Sequence, residues 1–245
     1  MVYFNCVLFQ KYFLFYWGEN MSSKRKLSLI YRIIIVIVTS VSLFVNFKLM
    51  TFRLGILYFT NLSNLFCLLY FLVLVIEMIL GKDKESSLHY IVKGMVTMCI
   101  TLTMVVYNFI LAGDSGIFKN HMLECNLVHL VVPIMVIFDY ILFGKKGNLK
   151  KEYVIYWCLG LFGYQVFVMI YSLLGGTFIG GASYPYFYMN TEKYGVFGVF
   201  INTLVILIIY VLYGLLIQKL DNLVGNRKNN KLEDDDLNNI DEEII

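Results

Sequence analysis

From Leu57 to Leu80 the chain is long and apolar enough to cross a bilayer, yet it opens on a polar stripe. Within Tyr58-Phe59-Thr60-Asn61-Leu62-Ser63-Asn64-Leu65-Phe66-Cys67, the residues Thr60, Ser63, Asn64 and Cys67 fall at i, i+3, i+4 and i+7. That spacing gathers them on one face of a helix. A helix in lipid satisfies its backbone internally and needs no such stripe. The polar face must therefore look toward other helices, a cavity or water.

The rest of the chain supplies partners of the same kind. Of its 245 residues, 59% are hydrophobic and 15% charged, where a soluble domain carries about 25% charged residues. Apolar runs predict helices over about 27–47, 57–80, 94–112, 126–143, 153–174 and 196–217. The alternating segments of an outer-membrane barrel are absent. The fold class is all-α: a polytopic membrane protein with six transmembrane helices.

Residues 1–26 form an N-terminal segment interrupted by Lys11 and Glu19. It lacks the small-residue cleavage site of a signal peptide. Either it lies in the interface, or translation begins at Met21, where Met21-Ser22-Ser23-Lys24-Arg25-Lys26 reads as a natural start. The membrane domain is 27–217. Residues 218–245 are polar, end acidic and read as a disordered tail.

Lysine and arginine alternate between the two sides. The N-terminal side, the 2–3 and 4–5 loops and the C-terminal side are rich in them. The 1–2, 3–4 and 5–6 loops hold two, one and one. By the positive-inside rule both termini are cytoplasmic, in a cell membrane. The five cysteines are scattered, with no CxxC and no metal-ligand spacing to histidine, so they read as packing residues. Neither a cofactor nor a metal is expected, and nothing points to nucleic acid.

Orientation turns the polar residues into a layer. Thr60, Asn61 and Asn64 start the second span, Asn108 ends the third, Asn126 and His129 start the fourth, and Asn202 lies two turns into the sixth. All fall in the outer third of the membrane at 1.5 Å per residue. Interhelical packing accounts for many such residues, and a lone membrane threonine usually bonds its own helix. His129 is the exception, because an ionisable group in a span is a functional candidate by default. Asp139, about 15 Å further along its helix, reads as a pairing residue. Outside, Gly175-Gly176 and Gly180-Gly181 lead into Tyr184-Pro185-Tyr186, which suits a lid over the cavity or an ordinary aromatic belt.

Three segments in order carry a resemblance: Tyr58 to Asn64, His129-Leu130-Val131-Val132-Pro133 with Asp139-Tyr140, and Tyr184-Pro185-Tyr186-Phe187. Over residues 27–217 the chain resembles bacterial six-helix membrane proteins related to the animal androgen-induced protein family. The resemblance implies hydrolysis of fatty acid esters of hydroxy fatty acids, with Thr60 matching the family's threonine and His129 its histidine. It implies a lipid or fatty-acyl ester as the partner, entering from the outer leaflet. Thr60 would then be the nucleophile and His129 the general base. Asn61, Asn64, Asn108 and Asn126 are the candidate oxyanion donors. Two readings compete with an esterase: a transporter or channel using the same cavity, and a non-catalytic binding or accessory protein in which the polar layer only holds helices together.

Overall fold

The computed structural model describes residues 22–82, 86–111 and 122–244; the start at Met1 or Met21 and the middle of the third loop lie outside them. Six helices are long and apolar enough to cross a membrane. They are α1 (Ser23–Met50), α2 (Phe59–Ile79), α3 (Ser87–Phe109), α4 (Leu123–Phe143), α5 (Tyr153–Leu173) and α6 (Thr191–Arg227). No strand occurs among the described residues.

The helices start where capping chemistry puts them, ahead of the apolar runs. Ser22 accepts from the Arg25 amide at the head of α1, and Ser86 accepts from the His89 amide at the head of α3. Each satisfies a backbone donor the first turn leaves open. α3 thereby begins seven residues before the apolar stretch and draws Lys93 into its body. The loop after α1 is a single helical turn, Phe52–Gly55.

α1 packs against α2 and α4, while α3 touches α2, α4 and α5, and α5 carries α6. α3 is the most enclosed span and α6 the least. α3 joins two hydrophobic cores. Its Val96 and Ile100 meet Leu29, Ile35, Phe71 and Val136 on one side. Its Met98 meets Trp157, Leu161 and Tyr210 on the other. Gly94 makes the second contact close: the Trp157 indole occupies the space where a Cβ would stand, and its Nε1 donates to the Ile91 carbonyl at 3.0 Å. Small residues serve this purpose in membranes, where no hydrophobic force drives helix against helix. The outward faces remain apolar, as at Phe44, Phe109, Phe162 and Phe200.

The end of the bundle where α1 begins is closed by charge. Arg32 Nε donates to Asp139 Oδ1 at 2.8 Å, and Lys93 Nζ approaches Asp139 Oδ2 at 3.4 Å. All three side chains are buried. Asp139 is thus a pairing residue, with partners from α1 and α3. Arg32 turns inward, although a side chain so near the start of its span can reach the membrane surface.

The last helix does not stop at residue 217. The helix that begins at Thr191 continues to Ile244 without a break at 217. Gln218 and Asn222 donate to the Leu149 carbonyl. Asp221, buried, accepts from Tyr140 Oη at 2.6 Å and from the Gly147 and Asn148 amides. These residues look polar because they cap the 144–149 loop, so they belong to the folded domain.

Candidate functional site

At the opposite end, α2 opens with Phe59 and Thr60, and α4 brings His129 to meet them. Neither α3 nor α4 is regular there. Tyr107–Leu111 ends α3 as a π-turn, and Leu127–Val131 is a π-turn inside α4. The second is closed by the Val132 amide donating to the Leu127 carbonyl, five residues back. π-turns are rare and concentrate where an α-helix must place a side chain off its regular register.

His129 Nδ1 lies 2.8 Å from the Cys125 carbonyl oxygen. A carbonyl only accepts, so Nδ1 carries the proton and Nε2 presents its lone pair. That lone pair is 3.2 Å from Thr60 Oγ1. The threonine hydroxyl therefore donates to the imidazole. The Tyr107 ring lies flat on the imidazole, with centroids 3.7 Å apart and planes 14° from parallel. His129 is buried and Thr60 half-buried.

The asparagines build the frame around this pair. Pro133 has no amide hydrogen, so the His129 carbonyl loses its usual α-helical donor. Asn108 Nδ2 reaches it from α3 at 3.3 Å and also binds the Met104 carbonyl. Asn64 Nδ2 donates to the neighbouring Val128 carbonyl at 3.1 Å and to the Thr60 carbonyl at 2.8 Å. Asn61 Nδ2 is taken by the Gly55 carbonyl at 3.0 Å. The amide donors of all three are directed at backbone carbonyls, and Asn126, half-buried before the π-turn, lines neither adjoining cavity. Ser63 exchanges a hydrogen bond with Thr103 at 2.9 Å, joining α2 to α3.

Another hydroxyl stands closer to the pair. Tyr186 Oη accepts from the Phe59 amide, an open donor at the head of α2, at 3.1 Å. It lines the same cavity as the Thr60 and Tyr164 side chains. Burial pushes the Tyr186 phenol well above its usual range, so it stays protonated.

The loop carrying Tyr186 folds onto the bundle. Tyr58 Oη accepts from the Ile179 amide, Gln165 donates to Tyr188 Oη, and Tyr184 Oη accepts from Asn190. Tyr186 and Tyr188 stack with centroids 5.7 Å apart. Gly180 and Gly181, at φ 72° and 78°, give the turn a left-handed backbone that side chains disfavour.

Two cavities meet at Thr60. One, of about 230 Å³, holds Thr60, Asn61, His129, Pro185 and Tyr186. The other, of about 350 Å³, runs from Thr60 and Tyr186 along the apolar side chains Leu102, Val106, Leu161, Ile206 and Ile209, with Asn202 at its edge. Asn202 itself donates to the Tyr188 carbonyl.

Sequence reasoning put Thr60 and His129 at one depth, and the resemblance paired them, with no group evident to orient the imidazole. That group is a main-chain oxygen, which leaves no mark in the residue letters. Tyr107 was reachable in principle, since it adjoins Asn108 at the same depth. No protein-family model matches the chain, and neither the curated proteins nor the solved structures offer a significant match.

Proposed function

We propose that this protein is an intramembrane lipid ester hydrolase, with Thr60 as nucleophile and His129 as general base and then general acid. The observation that carries this reading is the 3.2 Å approach of Thr60 Oγ1 to the free lone pair of His129. A threonine hydroxyl is a poor nucleophile unless a base within hydrogen-bond reach takes its proton.

The chemistry follows from these contacts. As Oγ1 attacks the ester carbonyl, its proton passes to Nε2. The resulting imidazolium keeps its Nδ1–H bond to the Cys125 carbonyl and gains attraction to the face of Tyr107. The carbonyl oxygen becomes an oxyanion, for which the protonated Tyr186 hydroxyl, in the same cavity as Thr60 and His129, is a candidate donor. Collapse breaks the ester C–O bond, and the leaving alkoxide takes the Nε2 proton. Water, deprotonated by the same nitrogen, then releases the fatty acid from Thr60.

The apolar cavity of about 350 Å³ suits an acyl chain beside the reacting carbonyl. Both termini are assigned to the cytoplasm on the lysine and arginine distribution, which puts the pair at the outer leaflet of a cell membrane. The resemblance to six-helix relatives of the androgen-induced protein family points to the same chemistry.

The test is labelling of the detergent-solubilised protein with a fluorophosphonate probe, together with release of fatty acid from a fluorogenic acyl ester. Labelling and turnover that vanish in Thr60→Ala and His129→Ala, with both variants folded, support the hydrolase. Turnover that survives Thr60→Ala removes it. A binding or transport protein using the same cavity would bind acyl ligand without releasing acid.

A further inference from the structure

At the end of the bundle away from Thr60 lies a third cavity, of about 330 Å³, with a different character. Lys24, Arg25, Arg32, Lys93, Lys145 and His89 line it, and no described aspartate or glutamate does. Asp139 sits behind the wall and engages Arg32 and Lys93, one carboxylate for two cations. Two long helices also start here: Ser22 and Ser28 of the α1 end and Tyr90 of the first turn of α3 belong to the same lining. Helix N-termini carry partial positive charge and favour anions. Side-chain charge and both dipoles therefore have the same sign. The remaining wall is apolar, with Leu74, Met78 and Phe143.

From this we infer that the cavity is a binding site for a phosphate-bearing anion, with the headgroup of an anionic lipid as its source. Basic pockets between membrane helices recognise lipid phosphates in this way, with lysine and arginine drawn to the phosphate oxygens. The apolar wall faces where the glycerol and first methylenes of such a lipid would lie. Neither Thr60 nor His129 takes part, so the site stands or falls apart from the hydrolase.

The experiment titrates the full-length protein in neutral detergent with short-chain phosphatidylglycerol, diacylglycerol and glycerol phosphate, reading the unfolding temperature. A ligand of the native state raises that temperature with concentration. Phosphatidylglycerol should stabilise and diacylglycerol should not. The triple variant Lys24→Gln, Arg25→Gln, Lys145→Gln, which spares the cations on Asp139, should weaken binding at least tenfold. Lys150→Gln, Lys151→Gln, Lys219→Gln removes three exposed cations outside the cavity and should change it less than twofold. Glycerol phosphate binding as tightly as the lipid would keep the phosphate site and overturn the lipid as its source. No stabilisation by either phosphate compound, or equal loss in both triple variants, overturns the site.

Discussion

The side-chain amide of Asn108 donates to the main-chain carbonyl of His129, the one carbonyl in α4 whose α-helical donor Pro133 removes. An asparagine on the preceding helix thus holds the backbone of the histidine and leaves its ring free for Thr60. In Asn108→Leu the π-turn loses this hold while apolar packing is kept. Interhelical hydrogen bonds in membranes are worth about 0.6 kcal/mol on average and up to about 1.7. Ester turnover is expected to fall about 3- to 20-fold, without loss of helix signal by circular dichroism.

Tyr186→Phe separates positioning from chemistry. The ring stack with Tyr188 is retained, and only the hydroxyl beside Phe59 and Thr60 is removed. Loss of an oxyanion donor costs about 10²- to 10³-fold in kcat. The expected result is a fall of that order with KM nearly unchanged; a change in KM alone would reduce Tyr186 to a wall of the cavity.

Arg32 and Asp139 are buried together, so removing one leaves the other's charge in a dry interior. Arg32→Met is expected to destabilise the bundle by about 3–5 kcal/mol, lessened by the approach of Lys93 to the same carboxylate. The double variant Arg32→Met, Asp139→Leu should be more stable than Arg32→Met alone. Denaturant titration in detergent measures both.

Lys146 gives a pH signature outside the spans. Burial lowers its ammonium to about 8, against an opposing pull from Asp221. Between pH 8 and its ordinary value of 10.5, the unfolded chain binds a proton at this residue that the folded chain has released. Stability from this residue therefore rises with pH across that window, is complete above 10.5 and is lost as pH falls through 8. The difference in unfolding temperature between wild type and Lys146→Met should grow over that range in favour of wild type.

Gly94→Ala tests the shared wall of the two cores. The added methyl meets the Trp157 indole, held by its bond to Ile91. Overpacking of this kind costs about 1–3 kcal/mol, and thermal unfolding should show it.

The six spans were legible because lipid demands long apolar runs, and the observed ends of α5 differ from the expected ones by a single residue. The beginnings of α1, α3 and α6 were not, because serine caps and polar first turns extend a helix beyond its apolar stretch. Depth and polarity put Thr60 and His129 in one layer, and the resemblance singled them out as a pair. The ion pair of Arg32 with Asp139 was within reach as well, since both lie near the same end of their spans. Tyr186 was singled out only as part of a candidate lid, because its proximity to Thr60 depends on how a glycine-rich loop folds back. Of the asparagines read as donors for chemistry, Asn61, Asn64 and Asn108 direct their amides at backbone carbonyls.

The π-turn in α4 makes the count of residues itself a part of the site. An α-helix advances about 100° per residue, and a π-turn accommodates one more residue than the α-helical turn it replaces. Deleting one residue between Leu127 and Val131 would leave composition and hydropathy almost untouched. It would let α4 close as an ordinary helix and swing the segment preceding the deletion by about that angle against the rest. A membrane helix that still inserts and packs would then present a different side chain to Thr60. In this chain, length at a single turn decides whether the His129 imidazole meets the Thr60 hydroxyl at all.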